Sequence, residues 1–238
     1  MRAMSPMTLR AAFVLILSLA FAASPLFVPD FGGYDPMQFP VPLENPPVQP
    51  AGYAFAIWGL IYLWLIASAA FGLWKRGHDV AWDAPRIPLG LSLAVGAIWL
   101  PVAVVSPIWA TVLIWAMLIP ALWALARTPQ QDLWLLRAPI GLYAGWLTAA
   151  SSVSIGLVAS GWDIPPFGPS GWAVAAVLLA LMLASIMLRV RASLLYGLAL
   201  VWALVAVTVR NGFDFVGILA LVGAVLILGL TLRRLRPA

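Results

Sequence analysis

Phe55, Trp58 and Tyr62 fall at i, i+3 and i+7 in the run Pro50-Ala-Gly-Tyr-Ala-Phe-Ala-Ile-Trp-Gly-Leu-Ile-Tyr62. On a helix, that spacing puts three rings on one face. Nothing in the run is charged, so the face offers stacking and apolar burial and no proton transfer. Tyr143, Trp146 and Ala150 repeat the same spacing further on. Beside them Gly141, Gly145 and Ala149 recur every four residues on another face, a small-residue stripe that admits a neighbouring helix closely. The hydroxyls of Ser151, Ser152 and Ser154 follow, and their simplest role is to bond back to carbonyls of their own helix.

Tryptophan is in excess, with thirteen in 238 residues. Trp74, Trp82, Trp109, Trp134, Trp162 and Trp172 lie near the ends of apolar runs, where indole anchors a helix at the membrane interface. Trp58, Trp99, Trp115, Trp146 and Trp202 lie deeper, where they serve either helix packing or a flat aromatic ligand.

Other chemistry is missing. No Asp, Glu, Lys, Arg or His falls mid-run, so an ion-coupled pump lacks its usual intramembrane charges. No acid–base set stands out, and an enzyme is not expected. With no cysteine there is no disulfide or thiolate metal site. His78 reads as a solvated loop residue, which disfavours His-ligated haem. Asp79, Asp83 and Asp163 likewise read as solvated charges, and no metal site is expected.

These residues need a scaffold, and composition names it. The chain is 64% hydrophobic and 9% charged, with a mean hydropathy of +1.03. A soluble domain carries about 25% charged residues. The fold expected is all-α, a polytopic membrane bundle of about eight spans. They run at about 11–27, 51–74, 87–105, 107–126, 138–160, 171–188, 192–209 and 213–232. The first run also fits a signal peptide, with Ala20-Phe-Ala22-Ala23 as a cleavage site; that would leave seven spans. The uncleaved helix is the preferred reading. Residues 28–50 are rich in proline, acidic and irregular, either a spacer or a lid over a pocket mouth. With both termini in the cytoplasm, twelve of thirteen Lys and Arg lie inside and only Arg210 lies outside. The net charge of +5 is therefore a topology signal, not one for nucleic acid. The expected location is a bacterial inner membrane.

At this point the residues resemble a known family. Pro50-Ala-Gly-Tyr53 through Ile57-Trp58 to Tyr62 is similar to the P-P-G-W-x-F-x-x-V-W-x-x-L-Y motif of the tryptophan-rich sensory proteins, the TspO/MBR or translocator-protein family. Trp99-Leu-Pro101 resembles the third-helix pattern N-x-x-W-x-P. Tyr143-Ala-Gly-Trp146 with Ala150 resembles P-Y-x-x-W-x-x-x-A-x-x-L-N. The family's asparagines fall on Gly96 and Ser154, its helix-five proline on Leu142, and a loop tryptophan on Val48. The motifs cover about residues 10–160. Two units follow: 1–160 as the five-helix unit, and 161–238 as three further spans, which fit a longer bacterial branch.

The resemblance implies a pocket under the first loop and binding of a tetrapyrrole (protoporphyrin or haem), a sterol-like molecule or another lipid, with no obligatory cofactor. It also implies a frequent homodimer and a sensory or transport-like role. The expected ligand-binding residues are Tyr53, Phe55, Trp58 and Tyr62 from the second span. Trp99 comes from the third, and Tyr143, Trp146 and Ala150 from the fifth. The alternatives are an assembly subunit of a larger membrane complex, and a carrier that is not ion-coupled.

Overall fold

Several helix starts in this chain are written by a hydroxyl or carboxylate cap, in α1 and α5 with proline just inside. In the computed structural model, which describes residues 5–28 and 32–235, Ser5 accepts from the Thr8 N–H and Pro6 opens α1 (Pro6–Ala23). The long helix α2 (Ile57–Arg76) is entered through a 3-10 turn at Gly52–Ala56. Asp79 caps the one-turn helix α3 (Val80–Asp83), which leads into α4 (Arg86–Ala103). Ser106 and Pro107 start α5 (Pro107–Ala126). A π turn at Leu133–Arg137 runs into α6 (Ala138–Gly161). Then come α7 (Pro169–Val190), α8 (Leu194–Asn211), whose cap is Ser193, and α9 (Phe215–Leu235). Eight of these segments are long and apolar enough to cross a membrane. The chain is an all-helical integral membrane protein, as its composition requires.

The bundle is built around α6. In its most apolar stretch 78% of residues are buried, against 28–50% for the other spans. Small residues make this possible. A Cβ on Gly145 would stand 2.3 Å from the Tyr196 carbonyl oxygen, and one on Gly141 would stand 2.4 Å from Ser193 Oγ. The stripe therefore seats α8. Thr148 completes the contact through its hydroxyl, 3.0 Å from that of Tyr196. On other sides α6 meets α5, α7 and α2. The proposed units 1–160 and 161–238 thus share one central helix, packed on members of both. Ser152 bonds back to Thr148 of its own helix as expected, but Ser151 donates across to Ile114 of α5.

Of the expected solvated acids Asp163 is exposed, but Asp83 and Asp79 behave differently. Asp83 receives Arg10 in a two-pronged pair and also meets Arg86. Arg86 is 5% exposed and donates to four backbone carbonyls, among them those of Gly72 and Arg76. Asp79 is a helix cap. Burial of Arg86 is tolerable because both terminal nitrogens of its guanidinium are engaged and Asp83 supplies the countercharge. Trp82 also departs from its expected interfacial role. It is 2% exposed, its ring closes over Gly72, and its N–H donates to Asp132. Trp74, Trp109 and Trp134 do face outward. His78 is exposed, beside Ser5 and Thr8.

Asp132 ties this end together, accepting from Arg76 and Trp82 at 2.9 and 2.8 Å. Those two donors hold its carboxyl below the usual carboxylate range. The folded value is the lower one, so the stabilisation is complete above the ordinary carboxylate range. It is lost as pH falls through the depressed value. Asp132→Asn should lower the melting temperature at pH 7 and flatten the acid-side decline, read by thermal unfolding in detergent. Asparagine suits the test because Asp132 sits at φ +52°, which asparagine tolerates.

Candidate functional site

The cover of the site is the loop before α2. Proline keeps residues 32–50 out of an α-helix; apart from a 3-10 turn at Pro36–Gln38 and a few bonds within the loop, the segment bonds outward to the bundle. Val41 N–H donates to the Gly161 carbonyl, Ala51 N–H to Ala206, Gln38 to Ala103 and Asn211 to Pro47. Apolar side chains anchor the same segment: Phe39, Leu43 and Val48 are buried. Phe39 occupies the space that a Cβ on Gly161 would need. Gly33 sits at φ +125° with the Gln49 side chain 2.4 Å from where its Cβ would be, so only glycine fits there. The loop is thus a strap fastened to α4, α6 and α8. Asp30 lies outside the described residues.

Under the strap is an apolar cavity of about 60 Å³. Gly33, Tyr34, Gln49 and Pro50 form its roof, Phe55 comes from the 3-10 turn before α2 and Trp58 from the first turn of α2. Trp99 of α4, Ile114 of α5 and Trp146 of α6 close the sides. Ala150 and Ser154 of α6 and Ala203 and Val207 of α8 complete the wall. The rings are packed on one another. Trp58 meets Trp146 edge-on at 6.1 Å and Trp99 at 6.4 Å, and Phe55 meets Trp146 at 6.0 Å. Trp99 is fixed by its N–H bond to the Ala110 carbonyl. The phenol of Tyr34 stands beside Ser154 and Thr111, and burial pushes it up. Among the described residues, no group of three or more His, Asp or Glu has a metal-binding arrangement.

A protein-family model described as "TSPO-like protein" matches residues 43–233. The chain belongs to the TSPO-like family. No curated protein and no solved structure matches it. The match extends over α7, α8 and α9, which the motif resemblance had left outside. In this TSPO-like chain α8 supplies two wall residues and holds the strap at Ala51.

Of the eight residues expected to bind ligand, Phe55, Trp58, Trp99, Trp146 and Ala150 line the cavity. Tyr53, Tyr62 and Tyr143 do not. Tyr53 lies in the 3-10 turn, is 44% exposed and packs edge-on against Trp202 of α8. The turn winds tighter than an α-helix, so its residues leave the 3.6-residue phase assumed from the sequence. Tyr62 stacks one turn below Trp58, at 5.5 Å and 17°. Tyr143 is fully buried and bonds to Ser92 at 2.7 Å.

Phe21 of α1 explains both exclusions. Its ring meets Trp58, Tyr62 and Tyr143 within 5.7 Å. It fits because Gly96 carries no side chain; a Cβ there would stand 2.8 Å from the Phe21 ring. Sequence reasoning missed Tyr34, Gln49, Ala203 and Val207. Only the lid reading of 28–50 pointed toward the first two, and nothing in the spacing of α8 marks the last two.

Proposed function

We propose that this TSPO-like protein binds a small apolar molecule within the membrane and does not chemically convert it. The observation that carries this reading is the meeting of Trp58, Trp99 and Trp146, from three helices, on one apolar cavity under a fastened strap. Indole faces favour stacked or edge-on partners over acyl chains, so they select a ligand that lipid alone does not. Ligand pockets generally hold about 300–1,000 Å³. At about 60 Å³ the cavity is smaller than that. A tetrapyrrole or sterol-like ligand requires the strap to lift and Trp58 to swing, which would make the strap the element that reports occupancy to a partner.

The test is a plug. Ala203→Phe adds a ring to the cavity from α8 and leaves the aromatic wall untouched. It should abolish saturable quenching of intrinsic fluorescence by protoporphyrin in purified protein. Quenching equal to that of the unchanged protein would put the ligand elsewhere.

The proposed setting is a bacterial inner membrane with the basic end in the cytoplasm. Absence of native cysteine makes orientation easy to read. Gln131→Cys at the basic end should react with an impermeant maleimide only in inside-out vesicles. Phe213→Cys at the opposite end should react only in right-side-out ones.

A further inference from the structure

Two arginines are buried at the basic end of the bundle, and their charges are met differently. Arg86 is 5% exposed and faces the Asp83 carboxylate at 3.3 Å. Arg137, where the π turn meets α6, is 8% exposed and donates only to neutral acceptors. These are the Thr128 hydroxyl, the Gln130 amide oxygen and the Pro129 carbonyl. Such bonds satisfy its donors but leave its charge uncompensated, and a buried charge is costly until a countercharge comes near.

The acids of this end do not supply one. Among the described residues they are Asp79, Asp83 and Asp132, and all three are engaged by Arg10, Arg76 and Arg86. More cations gather on the loop instead. Arg191, just past α7, donates through Nε and Nη2 to the Ala126 carbonyl, close enough to Arg137 for the two charges to repel. Arg127 is exposed and lies over the ring of Trp123. Three guanidiniums from the ends of α5, α6 and α7 thus converge on residues 126–130. Among the described residues, none of them pairs with a carboxylate, and neither Arg127 nor Arg191 Nη1 has a hydrogen-bond acceptor. The positive-inside bias explains why cations lie at this end. It does not explain why one half of that end is neutralised and the other half is bare.

We propose that the missing countercharge is the phosphate of an anionic phospholipid, seated on the loop between α5 and α6 in the leaflet at the basic end. Its oxygens accept from Arg127 and from Arg191 Nη1. Arg137, its donors already used, contributes charge alone. Trp123 sets the depth: it is 48% exposed on the last turn of α5, and an exposed indole under a cation lies where headgroups begin. That position favours a lipid phosphate over a free anion, because basic groups between helix ends at this depth face headgroups first.

The test places the full chain in nanodiscs of equal phosphatidylglycerol and phosphatidylcholine, and native mass spectrometry counts the lipids it retains. Retained phosphatidylglycerol should exceed phosphatidylcholine by at least about tenfold, the scale of two cations near an anionic headgroup. Arg127→Gln alters an exposed side chain and should lower that ratio about fivefold. Arg127→Gln together with Arg191→Gln should bring it near parity. Lys75→Gln is the matched control, because Lys75 is also exposed over an exposed indole, that of Trp74, but lies in the neutralised half. It should leave the ratio unchanged. Equal retention of the two lipids by the unaltered protein overturns the proposal, whether or not the variants fold. A loss in Lys75→Gln as large as in Arg127→Gln also overturns it, since the preference would then be diffuse surface charge. So does displacement of the retained lipid by glycerol 3-phosphate added in solution, which would make a soluble anion the occupant.

Discussion

Replacing Trp58 and Trp146 together by alanine should abolish saturable protoporphyrin quenching, with affinity falling by at least about a hundredfold. Each aromatic pair contributes about 0.5–1.5 kcal/mol beyond area burial. Trp58 alone contacts Tyr62, Trp99, Trp146 and Phe21. Removing both rings deletes the surfaces on which a flat ligand would stack. The remaining tryptophans keep the protein fluorescent, so a lost response is readable. Truncation of a large aromatic also costs about 3–5 kcal/mol of stability. Thermal unfolding must therefore accompany the titration, and the single variants should lie between. Unchanged quenching in a folded double variant would reject the cavity.

Gly145→Val should be the most damaging single substitution, costing about 3 kcal/mol or more, at the upper end of overpacking effects. The added Cβ would meet the Tyr196 carbonyl oxygen at 2.3 Å and its carbon at 3.0 Å. Both are backbone atoms of α8, so no side chain can turn aside to relieve the clash. Displacing α8 moves Ala203 and Val207 off the cavity and strains the Ala51–Ala206 bond that holds the strap. Loss of stability should therefore come with weakened ligand quenching. Gly59→Ala is the control. Nothing lies within 4 Å of its added Cβ, and it should leave melting and binding unchanged. A Gly145→Val protein that melts with the unaltered one would mean α8 is not held against α6 as described.

The linear order of residues was enough for the membrane class and the helix count. An apolar run of about 20 residues has few options in lipid but to close its own backbone bonds as a helix. Breaks such as Ser106-Pro107 show as caps in the chain itself. It was also enough for half of the site. Phe55, Trp58, Trp99, Trp146 and Ala150 were legible because they are aromatic, or small, at helical spacing in motifs the family carries. The stripe at Gly141 and Gly145 announced a close neighbour without naming it.

Packing decided the rest. Tyr53 left the expected face because a 3-10 turn replaced the first turn of α2, and Tyr143 was sealed off when Phe21 filled the space beside Gly96. Trp82 and Asp83 were drawn inward by Asp132 and Arg10, residues far away in the chain, with Arg86 beside them. The contribution of α8 was hidden for the same reason. Periodicity says which side of a helix is apolar or small, but in a membrane every side is apolar, so the pattern no longer tells which neighbour a face will meet. That choice belongs to the fit of side chains in three dimensions. It set Ala203 and Val207 beside Trp146 on one cavity wall.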